Sequence, residues 1–277
     1  MIRPARRPIA VATALALMAL APAARAASPF TDRNLEAAIR DVLKHEPKVE
    51  LTDEKLQNVY FLEATGKEIK DLTGLEKCKN LAQLKLDRNK IVDLKPLKDL
   101  TNLQWLDLSE NQIQDIAPLA NLKGLQYLQL SGNKVEKLDT LASLTSLNSL
   151  YLGKNAITDL APLASLSKLW TLSVPGNRVK DVKVVAKLTK LSTLDLGENQ
   201  VEDIAPIAKL TDLKILILWR NKIKDLKPLA DAAKADAAGS KLFAPYLRLY
   251  IEGNPLSDAA RKGQIDALKA AGVRIEG

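Results

Sequence analysis

The chain is 277 residues long and carries 41 basic and 33 acidic side chains, a formal charge of +8. A single cysteine, Cys78, excludes an internal disulfide, and a single histidine, His45, leaves acid–base catalysis little to use. Lysines alternate with aspartates and glutamates, with no basic stripe and no named binding motif, which argues against nucleic acid as a partner.

Residues 1–26 read as a secretory signal peptide. Arg3, Arg6 and Arg7 precede an apolar run from Ile9 to Ala23, and Ala24-Arg25-Ala26 supplies a small-residue cleavage pattern after Ala26. A membrane-anchoring helix is the competing reading, but about 15 apolar residues interrupted by Pro22 fall short of the roughly 20 that a bilayer needs. The expectation is export and removal, with no membrane anchor left: no cysteine near the cleavage point could take a lipid, and no apolar tail closes the chain. Four arginines and no acid leave with the segment, so half of the formal charge is transient.

Residues 27–58 predict a helical N-terminal cap. Thr31 or Asp32 can cap a helix with an apolar face of Leu35, Ile39, Val42 and Leu43, and Thr52-Asp53-Glu54 can open a second helix through Leu56. His45 falls near the end of the first helix, where a solvated or packing role is expected.

Residues 59–256 are a tandem repeat. Asn89, Asn111, Asn133, Asn155, Asn177, Asn199 and Asn221 stand 22 residues apart, each in the same aliphatic frame. Counting Leu103 as place 1, the inward set is Leu103, Leu106, Leu108, Asn111, Ile113, Ile116, Leu119 and Leu122, at places 1, 4, 6, 9, 11, 14, 17 and 20. Seven regular units run from Leu81 to Lys234, and a fixed period of this size marks a solenoid. Places 1 to 6 alternate inward leucine with outward residues, so each predicts a short strand and the stack predicts one parallel sheet. The asparagines, continued by Asn254, predict a ladder that satisfies backbone groups where the chain leaves the strand. Asp and Pro recur at places 13 and 16, as in Asp93/Pro96, Asp115/Pro118, Asp159/Pro162, Asp203/Pro206 and Asp225/Pro228, and predict a tight turn or short helical return.

The departures are local. A partial first unit begins at Val59, with Ala64 and Lys67 replacing leucine and asparagine, and with Cys78 at place 20 as a small buried apolar residue. The fourth unit has Lys137 and Thr140 for Asp and Pro, and the sixth has Val184 for Pro. Between Leu229 and Tyr246 the chain holds 11 extra residues, read as a short helix and loop on the return side, before the frame resumes at Tyr246, Leu249, Ile251 and Asn254. Residues 257–277 read as a C-terminal cap. Ser257-Asp258 opens a helix presenting Ala260, Ile265, Leu268 and Ala271, ended by Gly272 before an extended Val273-Arg274-Ile275.

The repeat resembles leucine-rich repeats, and its 22-residue unit of Asn, then Ile or Val, then Asp-Leu-x-Pro-Leu resembles the internalin type, over roughly residues 30 to 277. The resemblance implies an α/β repeat solenoid: a curved horseshoe with a parallel concave β-sheet, a convex side of short 3-10 or turn segments, and helical caps at both ends. It also implies a protein ligand.

Outward places carry the functional reading. Trp105, Tyr127, Tyr151 and Trp170 come from four successive units, while Trp219 and Tyr250 lie with Ile215 and Ile217 toward the carboxyl end, beyond a polar strip of Thr193, Asp195 and Gly197. The aliphatic core does not need these rings, and amphipathic aromatics on a rigid sheet suit anchors for a partner. The bland alternatives are cross-strand packing for the first group and cover by the insertion for the second. Lys85, Arg88, Asp107, Glu110 and Lys154 are expected to form a charged rim. Catalysis finds no support: Asp107 and Asp195 share place 5 but lie four strands apart, about 19 Å against the roughly 5–9.5 Å of paired carboxylates. No cofactor and no metal ligand set is implied. The expectation is a non-enzymatic, exported, periplasmic or secreted monomer that binds a protein on its concave face. A cell-envelope glycan on the same aromatic platform is the alternative, and a hydrolase with an unrecognised site is the third reading.

Overall fold

The structure is a computed structural model that describes residues 28–276. Residues 1–26, read from the sequence as a signal peptide, lie outside the described residues.

Ten strands form one parallel sheet in strict chain order: β1 (Phe61–Glu63), β2 (Gln83–Lys85), β3 (Trp105–Asp107), β4 (Tyr127–Gln129), β5 (Ser149–Tyr151), β6 (Thr171–Ser173), β7 (Thr193–Asp195), β8 (Ile215–Ile217), β9 (Arg248–Tyr250) and β10 (Arg274–Glu276). The ladder stays in register, Trp105 opposite Tyr127 and Leu106 opposite Leu128, with no shift from β1 to β8 beyond the repeat itself. Each strand holds only three residues, places 3 to 5, half the length that the alternation predicts. Leucines at places 1 and 6 are still buried, so the inward pattern outruns the hydrogen-bonded ladder. The sheet does not close, and the structure is the curved repeat solenoid that the period implies.

The returns are 3-10 segments, as the Asp and Pro places predict. Asp115 Oδ1 accepts from Ala117 N at 2.8 Å, and the same bond recurs from Ala161 to Asp159 and from Lys183 to Asp181. The helical turn follows at once, Ala117–Asn121 after Asp115 and Lys183–Lys187 after Asp181. The fourth unit lacks both Asp and Pro and still turns through Asp139–Ser143, with Leu138 and Leu141 buried. Aliphatic burial therefore sets the return, at about 1.5–3 kcal/mol per side chain, and the Asp and Pro sharpen it.

The asparagines bind each unit to the one before it. Asn133 Oδ1 accepts from Ile113 N at 3.0 Å, and its Nδ2 donates to Leu108 O at 2.9 Å in the preceding unit and to Leu130 O at 3.0 Å in its own. The pattern runs from Asn89, which reaches Ile69 N and Ala64 O, to Asn254, which reaches Ile223 N and Leu218 O across the insertion. Lys67 takes the asparagine place in the first repeat, which has no earlier repeat turn before it to bind.

Helix α1 (Arg33–Leu43) closes the front. Asp32 caps it, accepting from Asn34 N and Leu35 N, while its second oxygen accepts from Lys70 N at 2.8 Å and so ties the cap to the first unit. Leu35 and Ile39 are buried as predicted, but Val42 is exposed and Ala38 is buried in its stead. The face is also partly polar. Arg40 and Glu36 are buried as an ion pair at 2.7 Å, and Arg40 Nη1 donates to the carbonyls of Glu46 and Val49, holding the loop that leads to α2 (Asp53–Leu56).

The insertion forms α3 (Lys227–Ala238) and a loop around Asp236, whose carboxylate accepts from Leu242 N, Phe243 N and Ala244 N. The sequence frame places Tyr246 inward, and the structure corrects this: Tyr246 is 59% exposed and Leu247 fills the core. The strand itself keeps register, Arg248 opposite Ile215, but the 3-10 turn Ala244–Tyr246 that leads into it carries Tyr246 outward. At the back, a π turn over Ala260–Gln264 runs into α4 (Ile265–Ala270), and the expected extended segment pairs with β9 as β10.

Candidate functional site

Outward residues at place 3 and place 5 of adjacent strands share one face, and there the aromatics meet. Trp105 on β3 stacks on Tyr127 of β4, with ring centroids 4.6 Å apart and planes 9° from parallel, and Tyr127 meets Tyr151 of β5 at 5.4 Å and 43°. All three rings are half-buried. Burial, the nearby Asp107 carboxylate and Tyr151 push the Tyr127 hydroxyl up to about 12, so it stays a neutral donor at physiological pH.

Trp170 does not extend this stack. It stands at place 2, before β6 begins, 63% exposed at the leading edge of the sheet, where each return runs into its strand. Trp219 is half-buried over the next unit toward the front: a Cβ on Gly197 would lie 2.1 Å from its Nε1, so glycine there makes room for the indole. The Arg220 guanidinium lies 4.9 Å from the Trp219 ring and donates to Glu198 at 2.8 Å. Tyr250 on β9 is half-buried opposite Ile217.

The rim divides. Arg88, Glu110 and Lys154 all occupy place 8, are exposed, and have φ of 56°, 53° and 52°, left-handed turns that sibling units fill with glycine, as at Gly132 and Gly176. Lys85 is half-buried within β2. Asp107 departs from the expected rim: it is 9% exposed, and its Oδ1 accepts from Ser109 N at 2.9 Å and Ser109 Oγ at 2.6 Å, so it organises the turn. Asp195 is the matching residue on β7. Burial raises its pKa, against bonds from Gly197 N and Ser173 Oγ that lower it.

Cys78 is buried, and burial with nearby Glu76 pushes its thiol up to about 12, in keeping with a packing role. His45 is half-buried just past α1. Among the described residues, no group of three or more His, Cys, Asp or Glu is placed to hold a metal ion. No helix among them is long and apolar enough to cross a membrane.

A second surface escaped the sequence reading. Along the leading edge from β6 to β8, a groove of about 1000 Å³ runs between Trp170 and the loop that follows α3, where Leu242 and Tyr246 face it. Its two sequence signals were a tryptophan one place before its strand and the 11 extra residues.

The geometry defines a leucine-rich-repeat solenoid with an aromatic stack on its sheet. Leucine-rich repeats match over residues 101–143, 123–165 and 189–231. The crystal structure of internalin C2 from Listeria monocytogenes is similar, at 34% identity with a TM-score of 0.72, over 76% of this chain and 94% of that one. The chain belongs to the internalin-type bacterial leucine-rich repeat family. Two plant structures share the fold. They are the ectodomain of the Arabidopsis thaliana receptor kinase GASSHO1/SCHENGEN3 in complex with CASPARIAN STRIP INTEGRITY FACTOR 2 (20% identity, TM-score 0.62, 82% of this chain and 28% of that one) and the plant peptide hormone receptor RGFR1 in complex with RGF2 (23%, 0.55, 66% and 30%). No curated protein sequence matches the chain.

Proposed function

We propose that the protein is an exported, non-enzymatic recognition module that binds a protein ligand on its concave face, anchored by Trp105, Tyr127 and Tyr151. The observation that carries this reading is the stack itself: three rings from consecutive strands on the outward side of a sheet whose core is closed by leucine, isoleucine and valine. Aromatics so placed add nothing to core packing, while rigid amphipathic rings suit the centre of an interface. The rim supports it. Arg88, Glu110 and Lys154 hold left-handed turns that cost a non-glycine residue about 1–2 kcal/mol each, although neighbouring units use glycine at the same place. Charge at these turns then has a use, which is to select the partner. Trp219 and Tyr250 extend the face toward the carboxyl end. Two plant receptors of the same fold are in complex with CASPARIAN STRIP INTEGRITY FACTOR 2 and with RGF2, which supports a binding role.

The test is paired affinity capture from cell-envelope protein and from isolated cell wall, using the wild type and a Trp105→Ala/Tyr127→Ala variant. A protein retained by the wild type and lost by at least tenfold in the variant is expected, since anchor residues are worth about 2 kcal/mol or more each. Equal capture by both forms overturns the concave assignment, and retention of wall glycan alone establishes the glycan reading in its place.

A further inference from the structure

The groove on the leading edge is built from two features that the repeat does not require. Trp170 is the one tryptophan at place 2, where other units carry Gln104, Gln126, Asn148, Ser192 and Lys214. The opposite wall comes from the loop after α3, the single interruption of the 22-residue period. Together they expose Trp170 (63%), Leu242 (61%) and Tyr246 (59%) to one concavity. Exposed large apolar side chains gathered on a fold whose core is otherwise complete mark a contact surface.

The charge around them is one-sided. Lys168 and Lys190 border the groove and make no ion pair or hydrogen bond with any of the described residues, among which Asp212 is the only acid lining it. A third lysine, Lys214, is committed to the wall: its Nζ donates to Leu242 O at 3.0 Å and lies 4.5 Å from the Tyr246 ring centre. That pair of contacts holds the loop against the sheet, so the concavity is formed in advance of any partner, which lowers the ordering cost of binding.

From this we infer that the leading-edge groove is a second docking surface, separate from the concave stack, and that its occupant is an acidic peptide segment bearing an aromatic or aliphatic anchor. The two unpaired lysines receive carboxylates, while Trp170 and Tyr246 flank the anchor. Leu242 decides between occupants, because a bare aliphatic side chain satisfies none of a sugar's hydroxyls yet packs well on an apolar residue.

The probe is a fluorescently labelled random copolymer of glutamate and tyrosine, titrated onto the protein by anisotropy, with polyglutamate and polygalacturonate as comparators. Binding of the copolymer is expected to weaken by about tenfold or more in Trp170→Ala and in Tyr246→Ala. Lys168→Glu/Lys190→Glu should weaken it too and flatten its salt dependence. The Trp105→Ala/Tyr127→Ala variant should bind the copolymer as the wild type does, so failure of the concave reading leaves this one standing. All substituted side chains in the groove are exposed, and an unchanged thermal transition verifies that the fold is kept. No copolymer binding, equal binding of polyglutamate, tighter binding of polygalacturonate, or loss in the concave variant each overturns the proposal.

Discussion

A carboxylate on a sheet face costs stability when it is desolvated, and Asp195 carries that cost on the strip between the two aromatic groups. Burial raises its pKa, while Gly197 N and Ser173 Oγ give back part of the loss. Folding therefore favours the protonated form. The stability contributed by this group is complete below the ordinary value of 3.8 and falls as pH rises through the raised value, so at neutral pH the ionised carboxylate is a net penalty. Asp195→Asn keeps an acceptor for Gly197 N and offers an amide to Ser173. It is expected to raise the thermal midpoint modestly at pH 7, with the gain disappearing as the pH is taken below the ordinary carboxylate range. A gain that persists unchanged in acid would place the effect elsewhere than in the charge.

At the scale of the element, the front cap rests on one side chain. Asp32 closes the first turn of α1 with one oxygen and receives Lys70 N with the other, so it joins helix to repeat. Burial acts against its ionised form, but the bonds from Lys70, Leu35, Asn34 and Asp71 outweigh it and hold the carboxyl below its ordinary value. Its contribution is present above pH 3.8 and is lost as pH falls through the lowered value. Asp32→Ala should cost about 0.5–2 kcal/mol, the range for a lost cap. In hydrogen exchange the loss of protection should concentrate in α1 and the first unit at neutral pH, and wild type and variant should converge in strong acid. The sequence placed this cap at Thr31 or Asp32, because a capping residue before an apolar run is a local signal, and the structure selects Asp32. It did not show that Glu36 and Arg40 are buried, since a charged i,i+4 pair reads as a solvated face until the loop carbonyls it serves are placed. The leading-edge groove was hidden for a related reason. Period-22 register assigns directions only where the period holds, and Tyr246 follows its one interruption.

Across the whole molecule, stability is a chain of neighbour contacts, and the asparagines are its links. Each unit buries its leucines against the next, and each asparagine satisfies donors and acceptors in two consecutive turns, so a lesion acts according to its position in the array. Asn133→Ala leaves Ile113 N unpaired between β3 and β4 and takes one of two amide donors from Leu108 O and Leu130 O, which keep Asn111 and Asn155, for a loss on the order of 1–3 kcal/mol. Asn254→Ala removes comparable bonds to Ile223 N, Leu218 O and Ile251 O, but only the last repeat and the C-terminal cap lie beyond it. Similar chemistry at the two places should thus give different behaviour. Hydrogen exchange in Asn254→Ala should quicken in β9, β10 and α4 while β2 to β6 keep their protection. Asn133→Ala should lower the midpoint for strands on both sides of the break, because a solenoid cut in its middle loses coupling in each direction. Equal, uniform loss of protection in both variants would mean that the array unfolds as one globular unit, and the nearest-neighbour account of its stability would have to be given up.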